Sequence, residues 1–221
     1  VAGDEKVVVQ TDITLGIVLV ASKDYDAAVP YLKGVTDRIS ELQIEPIGFT
    51  ETDVVRHLAA AHAELGDEAA AINAYRQAIT RAEKGEAKLE AAQAARDLGL
   101  FFASRRKMAD AIREWTAALA IYEAERQSAQ AARLYCDLAS ARKFIGYGQR
   151  AMKDYERALM LLSNIKDDWE TRGLVLSNAA TAYADQGDVD SADSFFNESI
   201  ASARRLNNEG AEATRRGNYG Y

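Results

Sequence analysis

With 221 residues, 48% of them hydrophobic, and only two prolines, the chain can bury a sizeable core and is no disordered segment. Its 34 acidic against 27 basic residues give a net charge of -7, which argues against direct nucleic-acid binding or attachment to an anionic membrane. A single cysteine, Cys136, excludes an intrachain disulfide and fits a reducing, cytoplasmic setting, and the longest apolar run near the start, Ile17 to Ala21, falls well short of the roughly 18 residues of a membrane span.

Alanine, Glu, Arg, Leu and Gln fill most of the sequence, and no strand pattern with Asn-Gly turns occurs, so the expected class is all-α. A first helical hairpin is expected over 9–43, with Pro30 inside its second helix, where the ring removes a hydrogen bond and should kink the helix. Pro46 and Gly48 then break the chain, and Thr50 is placed to cap the next helix with Asp53 at N3. Further hairpins are expected over 50–85, 90–126, 130–165 and 171–207, with a truncated sixth over 211–221, all in one domain spanning 1–221. Gly66-Asp67, Gly146-Tyr147-Gly148 and Gly187-Asp188 mark the turns within hairpins, glycine supplying a left-handed cap and aspartate the next N-cap. The third hairpin has Ser104-Arg105-Arg106 there, with no glycine. Because the chain starts at Val1 and stops inside a repeat, it is expected to be a piece of a longer or processed protein.

Self-comparison gives the pattern its register. Five segments align from starts at 14, 57, 97, 137 and 178, and a sixth begins at 218. One residue after each start stands Leu15, Leu58, Leu98, Leu138, Ala179 or Tyr219, followed by a small residue from Gly16 to Gly220. On the second helix an alanine recurs (Ala28, Ala71, Ala111, Ala151, Ala192), and a large group follows four residues later (Leu32, Tyr75, Trp115, Tyr155, Phe196). The spacings are helical, and small groups facing large ones let antiparallel helices interdigitate. Arg142 and His62 depart from a column otherwise held by Leu19, Phe102 and Tyr183.

These columns resemble the tetratricopeptide repeat family, in the longer form of about 40 residues per repeat found in kinesin light chains and in bacterial regulators. The resemblance implies a right-handed α-solenoid of stacked antiparallel hairpins, with first helices lining a concave groove. It also implies that an asparagine at the repeat start grips the backbone of an extended peptide, as Asn178 and Asn218 would. The remaining starts are Thr14, His57, Asp97 and Asp137. A carboxylate only accepts, so Asp97 and Asp137 would favour peptide N–H groups or a basic side chain. Gln10, Asp53, Gln93 and Arg133 lie one turn before this column, and Ala60, Leu100, Ser140 and Thr181 one turn after. Arg56, Arg96 and Lys143 could add positive charge to the wall. Equally, the polar column could be the solvated edge of amphipathic helices, with Asp97 paired to Arg96 or Arg133.

Nothing in the sequence assembles a catalytic or metal centre. In a solenoid His57 and Cys136 would lie about two repeats apart, too far for a nucleophile and its base at about 2.6–3.2 Å. His57 and His62 are five residues apart and spread off one helical face, and Gly146-Tyr147-Gly148 has no phosphate-loop lysine behind it. Asp167-Asp168 are placed as caps, and the Tyr and Trp at helical spacing belong to the core. The expected function is therefore a non-catalytic interaction scaffold, without cofactor or metal, that holds a protein or peptide in the groove. Two alternatives stand beside it. One is a ligand-sensing segment of a larger regulator. The other is a self-assembly module that dimerises through apolar surface around Tyr219 and Tyr221 on the truncated last helix.

Overall fold

The computed structural model describes residues 2–42, 46–165 and 167–220. Among them are eleven α-helices and no strand: α1 (Ala2–Ala21), α2 (Tyr25–Leu42), α3 (Glu51–Glu64), α4 (Glu68–Lys84), α5 (Lys88–Ser104), α6 (Met108–Ala124), α7 (Ser128–Phe144), α8 (Gly148–Ser163), α9 (Trp169–Asp185), α10 (Val189–Arg205) and α11 (Glu209–Tyr219). No described helix is long and apolar enough to cross a membrane.

Eight connections share one device. A single residue adopts the left-handed region: Lys23, Gly66, Glu86, Arg106, Arg126, Gly146, Gly187 or Asn207. The next residue donates its N–H to the carbonyl five positions back, as Asp67 does to His62 (3.0 Å), Lys107 to Phe102 (2.9 Å) and Tyr147 to Arg142 (2.8 Å). This 6→1 bond satisfies a helix-end carbonyl that would otherwise be orphaned. The third hairpin, which has no glycine, makes the same turn with Arg106 at φ 58°. Asp67, Asp168 and Asp188 cap the helices that follow them, their side chains accepting from Ala70, Thr171 and Ser191 N–H groups. Thr50 and Asp53 form the full reciprocal capping box at the start of α3. Helix α2 runs through exposed Pro30 to Leu42.

The chain forms two compact units, Val1–Phe101 and Phe102–Tyr221, the division falling inside α5. In the first, Val9, Ile13 and Ile17 of α1 pack with Ala28, Leu32, Val35 and Ile39 of α2 and with Val54 and Leu58 of α3. A Cβ on Gly16 would come within 2.7 Å of a Leu32 methyl, so here the small column lets α1 and α2 close up. In the second, Cys136 and Ala139 of α7 pack with Ala151, Tyr155, Ala158 and Leu162 of α8 and with Val175, Ala179 and Ala182 of α9. A smaller cluster joins Ala180, Ala192 and Phe196 to Tyr219 of α11.

The two departures from the repeat pattern have different outcomes. Arg142 pairs with Asp154 of α8 at 2.5 Å, an ion pair joining the helices of one hairpin. In the next hairpin the same two columns hold Tyr183 and Phe195, whose rings are 5.2 Å apart. A charge pair stands where the next hairpin has an aromatic one, and burial pushes the Asp154 carboxyl up while Arg142 opposes that shift. His62, by contrast, lies 4.0 Å from the exposed carboxylate of Asp67 and has no such buried partner.

Candidate functional site

The polar residues at the repeat starts reach sideways. Asp97 of α5 accepts from Nε (2.8 Å) and Nη2 (2.6 Å) of Arg56 on α3. Asn178 of α9 donates to Sγ of Cys136 on α7 at 3.4 Å, and Asn218 of α11 donates to Oγ of Ser177 on α9 at 3.3 Å. In each case the partner is the residue immediately before the repeat start of the preceding hairpin. A polar group beside a buried column is thereby satisfied by its neighbour, and the column stitches consecutive first helices together. Arg56 had been expected only as a wall charge. Nothing in the one-dimensional pattern marks Cys136 or Ser177, because their role appears only once first helices lie side by side.

In the first unit this stitching occupies the candidate groove residues. Arg56 also bonds Asp53 at 2.9 Å, and Gln93, with its amide turned, accepts from Arg56 Nη2 at 3.0 Å. Arg96 Nη1 lies 3.9 Å from Asp97, so the local pairing considered for Asp97 exists but is weaker than the one with Arg56. His57 turns Nδ1 to the Asp53 carbonyl at 2.8 Å and meets the ring of Phe49 edge-on. Gln10 holds the backbone of Ile47, accepting its N–H at 2.8 Å. Asp53, Arg56, Gln93 and Asp97 meet in one polar network along α3 and α5, and His57 and Asp97 do not meet as a base and its orienter.

The second unit has an open concavity of about 300 Å³ among α7, α8 and α9, lined by Ser140, Lys143, Phe144, Tyr155, Asn178 and Thr181. Four of those residues lie at positions expected to face a groove. Asn178 uses its amide N–H on Cys136, and its carbonyl oxygen has no hydrogen bond among the described residues. Lys143 extends to Asp185 at 2.6 Å. Ser140 bonds the Tyr155 hydroxyl at 3.1 Å, and burial raises that phenol to about 12, so it stays a neutral donor. The concavity thus offers hydroxyls, one amide carbonyl, one ammonium and an aromatic ring. Phe144 is 60% exposed at the end of α7. Its column holds Ala21, Glu64, Ser104 and Asp185 in the other repeats, so an aromatic there was a visible anomaly.

The other expected site residues lie apart from it. Arg133 is exposed on α7, and Asp137 is half-buried beside it with its Oδ2 wrapped in protein. Asn218 is exposed on α11. Tyr219 is half-buried and stacks on Phe196 at 5.0 Å, so it belongs to the α9–α11 packing, while Tyr221 lies outside the described residues. No group of three potential metal ligands occurs among the described residues.

A tetratricopeptide repeat model matches residues 57–84, from the middle of α3 to the end of α4, and a second matches 174–210, from within α9 through α10 to the first residues of α11. The chain contains tetratricopeptide repeats. No curated protein matches its sequence. Among solved structures, this tetratricopeptide-repeat chain is similar to BtubC from P. vanneervenii at 18% identity and TM-score 0.75, covering 91% of this chain and 82% of that one. It is also similar to a putative kinesin light chain of Podosopora anserina with nearly identical repeats, at 15% identity and TM-score 0.69, over 89% of this chain and 95% of that one. The Rap conjugation gene regulator of plasmid pLS20, solved with a Phr peptide, matches at 16% identity and TM-score 0.63. Here the tetratricopeptide-repeat chain is covered to 93% but spans only 56% of the regulator. Likeness at such identity shows the shared fold of helical repeats.

Proposed function

We propose that this chain is a non-catalytic interaction scaffold, one repeat array in purpose, that holds an extended peptide segment of a partner protein in the α7–α9 concavity. The observation that carries the reading is the convergence of Ser140, Lys143, Asn178 and Thr181 around exposed Phe144. The Asn178 carbonyl would accept a peptide N–H, the hydroxyls of Ser140 and Thr181 would serve either polarity, and Phe144 would take an apolar side chain. Repeat scaffolds bind by such continuous surfaces without chemistry. The reading needs no cofactor and no nucleic acid, and it suits a cytoplasmic protein.

A photo-crosslinking amino acid placed at Phe144 in cells should capture one partner segment. That segment, made as a peptide, should bind the purified chain and lose affinity about tenfold or more with Phe144→Ala plus Asn178→Ala, a loss of about 1.4 kcal/mol or more. Equal affinity for both chains would overturn the reading. The likeness to a regulator solved with a bound peptide supports a second reading, in which the array senses a peptide for a larger regulatory protein. Under it, the same peptide would change the hydrogen-exchange protection of α7–α9 rather than merely dock.

A further inference from the structure

In the first unit an open concavity of about 460 Å³ lies between α2 and α4, the second helices of two successive hairpins. Arg81 of α4 anchors it, donating to the Thr36 carbonyl of α2 at 3.3 Å and pairing with Glu51 of α3. One wall is formed by Asn73, Arg76, Gln77, Thr80 and Lys84, which steps of three and four residues bring to one face of α4. The opposite wall gives Asp37 of α2, which the repeat register sets level with Thr80. Arg81 is already neutralised by Glu51. Arg76 and Lys84 are exposed and have no carboxylate partner among the described residues, and Asp37 has no cation partner among them. Unpaired cations are out of keeping with a chain of net charge -7. They are not a demand of the repeat either. The same positions on α6 read Arg113, Thr116, Ala117, Ala120, Ile121 and Ala124, and Arg113 is paired there with Asp110 and Glu114.

We propose that this concavity takes an extended acidic segment of a partner protein, with acidic side chains four residues apart. Arg76 and Lys84 are separated by eight helical residues, about 12 Å along the axis. Four residues of an extended chain span about 13 Å. Two carboxylates at that spacing meet both cations, and the Arg76 guanidinium can take one of them through two parallel hydrogen bonds. Asp37 stands between the two cations and only accepts, so it suits a backbone N–H and disfavours unbroken negative charge. Asn73 and Gln77 each offer a donor and an acceptor, as a peptide backbone requires. The order cation, carboxylate, cation therefore matches an acidic peptide and works against a polyphosphate, which brings acceptors but no N–H. The site lies in the other unit from the α7–α9 concavity and does not rest on it.

The probe is a short peptide with two aspartates four residues apart among serines and glycines, titrated into the isotopically labelled full chain and followed by amide chemical shifts. The expected result is saturable shifts in α2 and α4, with a dissociation constant on the order of 0.1 mM at low salt that weakens as salt is added. Arg76→Gln with Lys84→Gln removes two exposed, unpaired charges, so this variant should stay folded and bind about tenfold more weakly. Lys6→Gln with Lys153→Gln makes the same change of net charge at other exposed positions and should bind like the wild type. Phe144→Ala with Asn178→Ala should leave this binding unchanged, which separates it from the groove. A peptide with its two aspartates adjacent should bind more weakly, by about threefold or more. The proposal is overturned by an absence of saturable shifts in α2 and α4, by equal affinity in the Arg76, Lys84 variant, or by an equal loss in either of the other two. Equal affinity for the adjacent-aspartate peptide, or displacement of the probe by an equal concentration of tripolyphosphate, overturns it as well.

Discussion

A Cβ on Gly173 would stand 2.5 Å from the guanidinium carbon of Arg215, so the arginine of the last helix lies directly on the backbone of α9. Arg215 is buried, donates to the Ser199 carbonyl at 2.8 Å, and has its pKa lowered by burial while Glu170 opposes the shift. Ser199 in turn donates to the Gly173 carbonyl at 2.9 Å. Helix α11 is docked by this three-residue arrangement and by Tyr219 on Phe196. Gly173→Ala should therefore expel the guanidinium and detach α11. A charged hydrogen bond of about 1.5–3 kcal/mol is at stake, so hydrogen exchange should show lost protection in 209–219 with α7 and α8 unchanged.

Gly16 is packed as tightly in the first unit. Gly16→Ala forces a methyl into Leu32 and should destabilise by about 1–3 kcal/mol in chemical denaturation. Gly16→Ala with Leu32→Val should recover part of that loss, because the second change makes room for the first.

Glu86 and Arg126 hold the left-handed turn position at φ 56° each. A side chain there is strained, and glycine removes the strain at some expense in unfolded-state entropy. Glu86→Gly and Arg126→Gly should each stabilise by about 0.5–1 kcal/mol, read as a higher denaturation midpoint. Gly85→Ala, one residue earlier at φ -83°, should not lower it, since that position needs no glycine.

Asp154→Ala leaves Arg142 without its partner in the α7–α8 hairpin and should destabilise by about 1–3 kcal/mol. Arg142→Tyr with Asp154→Phe should be close to neutral, because Tyr183 and Phe195 already fill those columns in the next hairpin. A double-mutant cycle measures the coupling.

Burial raises the Tyr75 and Tyr155 phenols and the Cys136 thiol to about 12. Their neutral forms are favoured in the folded state. The associated stability is fully present below the ordinary values of 10.0 for the phenols and 9.0 for the thiol, and is lost as pH climbs through about 12. Denaturation midpoints should fall over that alkaline window and not between pH 7 and 8. Cys136 should react with a thiol reagent at pH 8 only as fast as the surrounding helices open.

The all-α repeat fold was legible because each repeat restates the same small-large code, and five copies outvote any one departure. The Thr50 box and the glycine turns were legible because their chemistry is local. The turn at Arg106 was harder, since its driving force is the 6→1 bond and not its side chain. Register placed Asn178, Lys143, Ser140 and Thr181 on one face, and they line one concavity, whereas the pairing considered for Asp97 was with Arg96 or Arg133, and its shorter contact is with Arg56, 41 residues away. Sequence spacing encodes which face a residue occupies. It does not encode which neighbour on the next helix meets that face.

Asn178 belongs at once to a wall of the concavity and to the stitch with Cys136. A guest held by the Asn178 carbonyl leaves the amide N–H on Cys136, so one side chain ties the guest to the bond joining α7 to α9, and filling the groove and separating the two helices share one free energy. Tension that parts those helices should change how tightly a guest is held, and a bound guest should change how far they part under load. The second unit would then behave as a small spring whose stiffness reports occupancy.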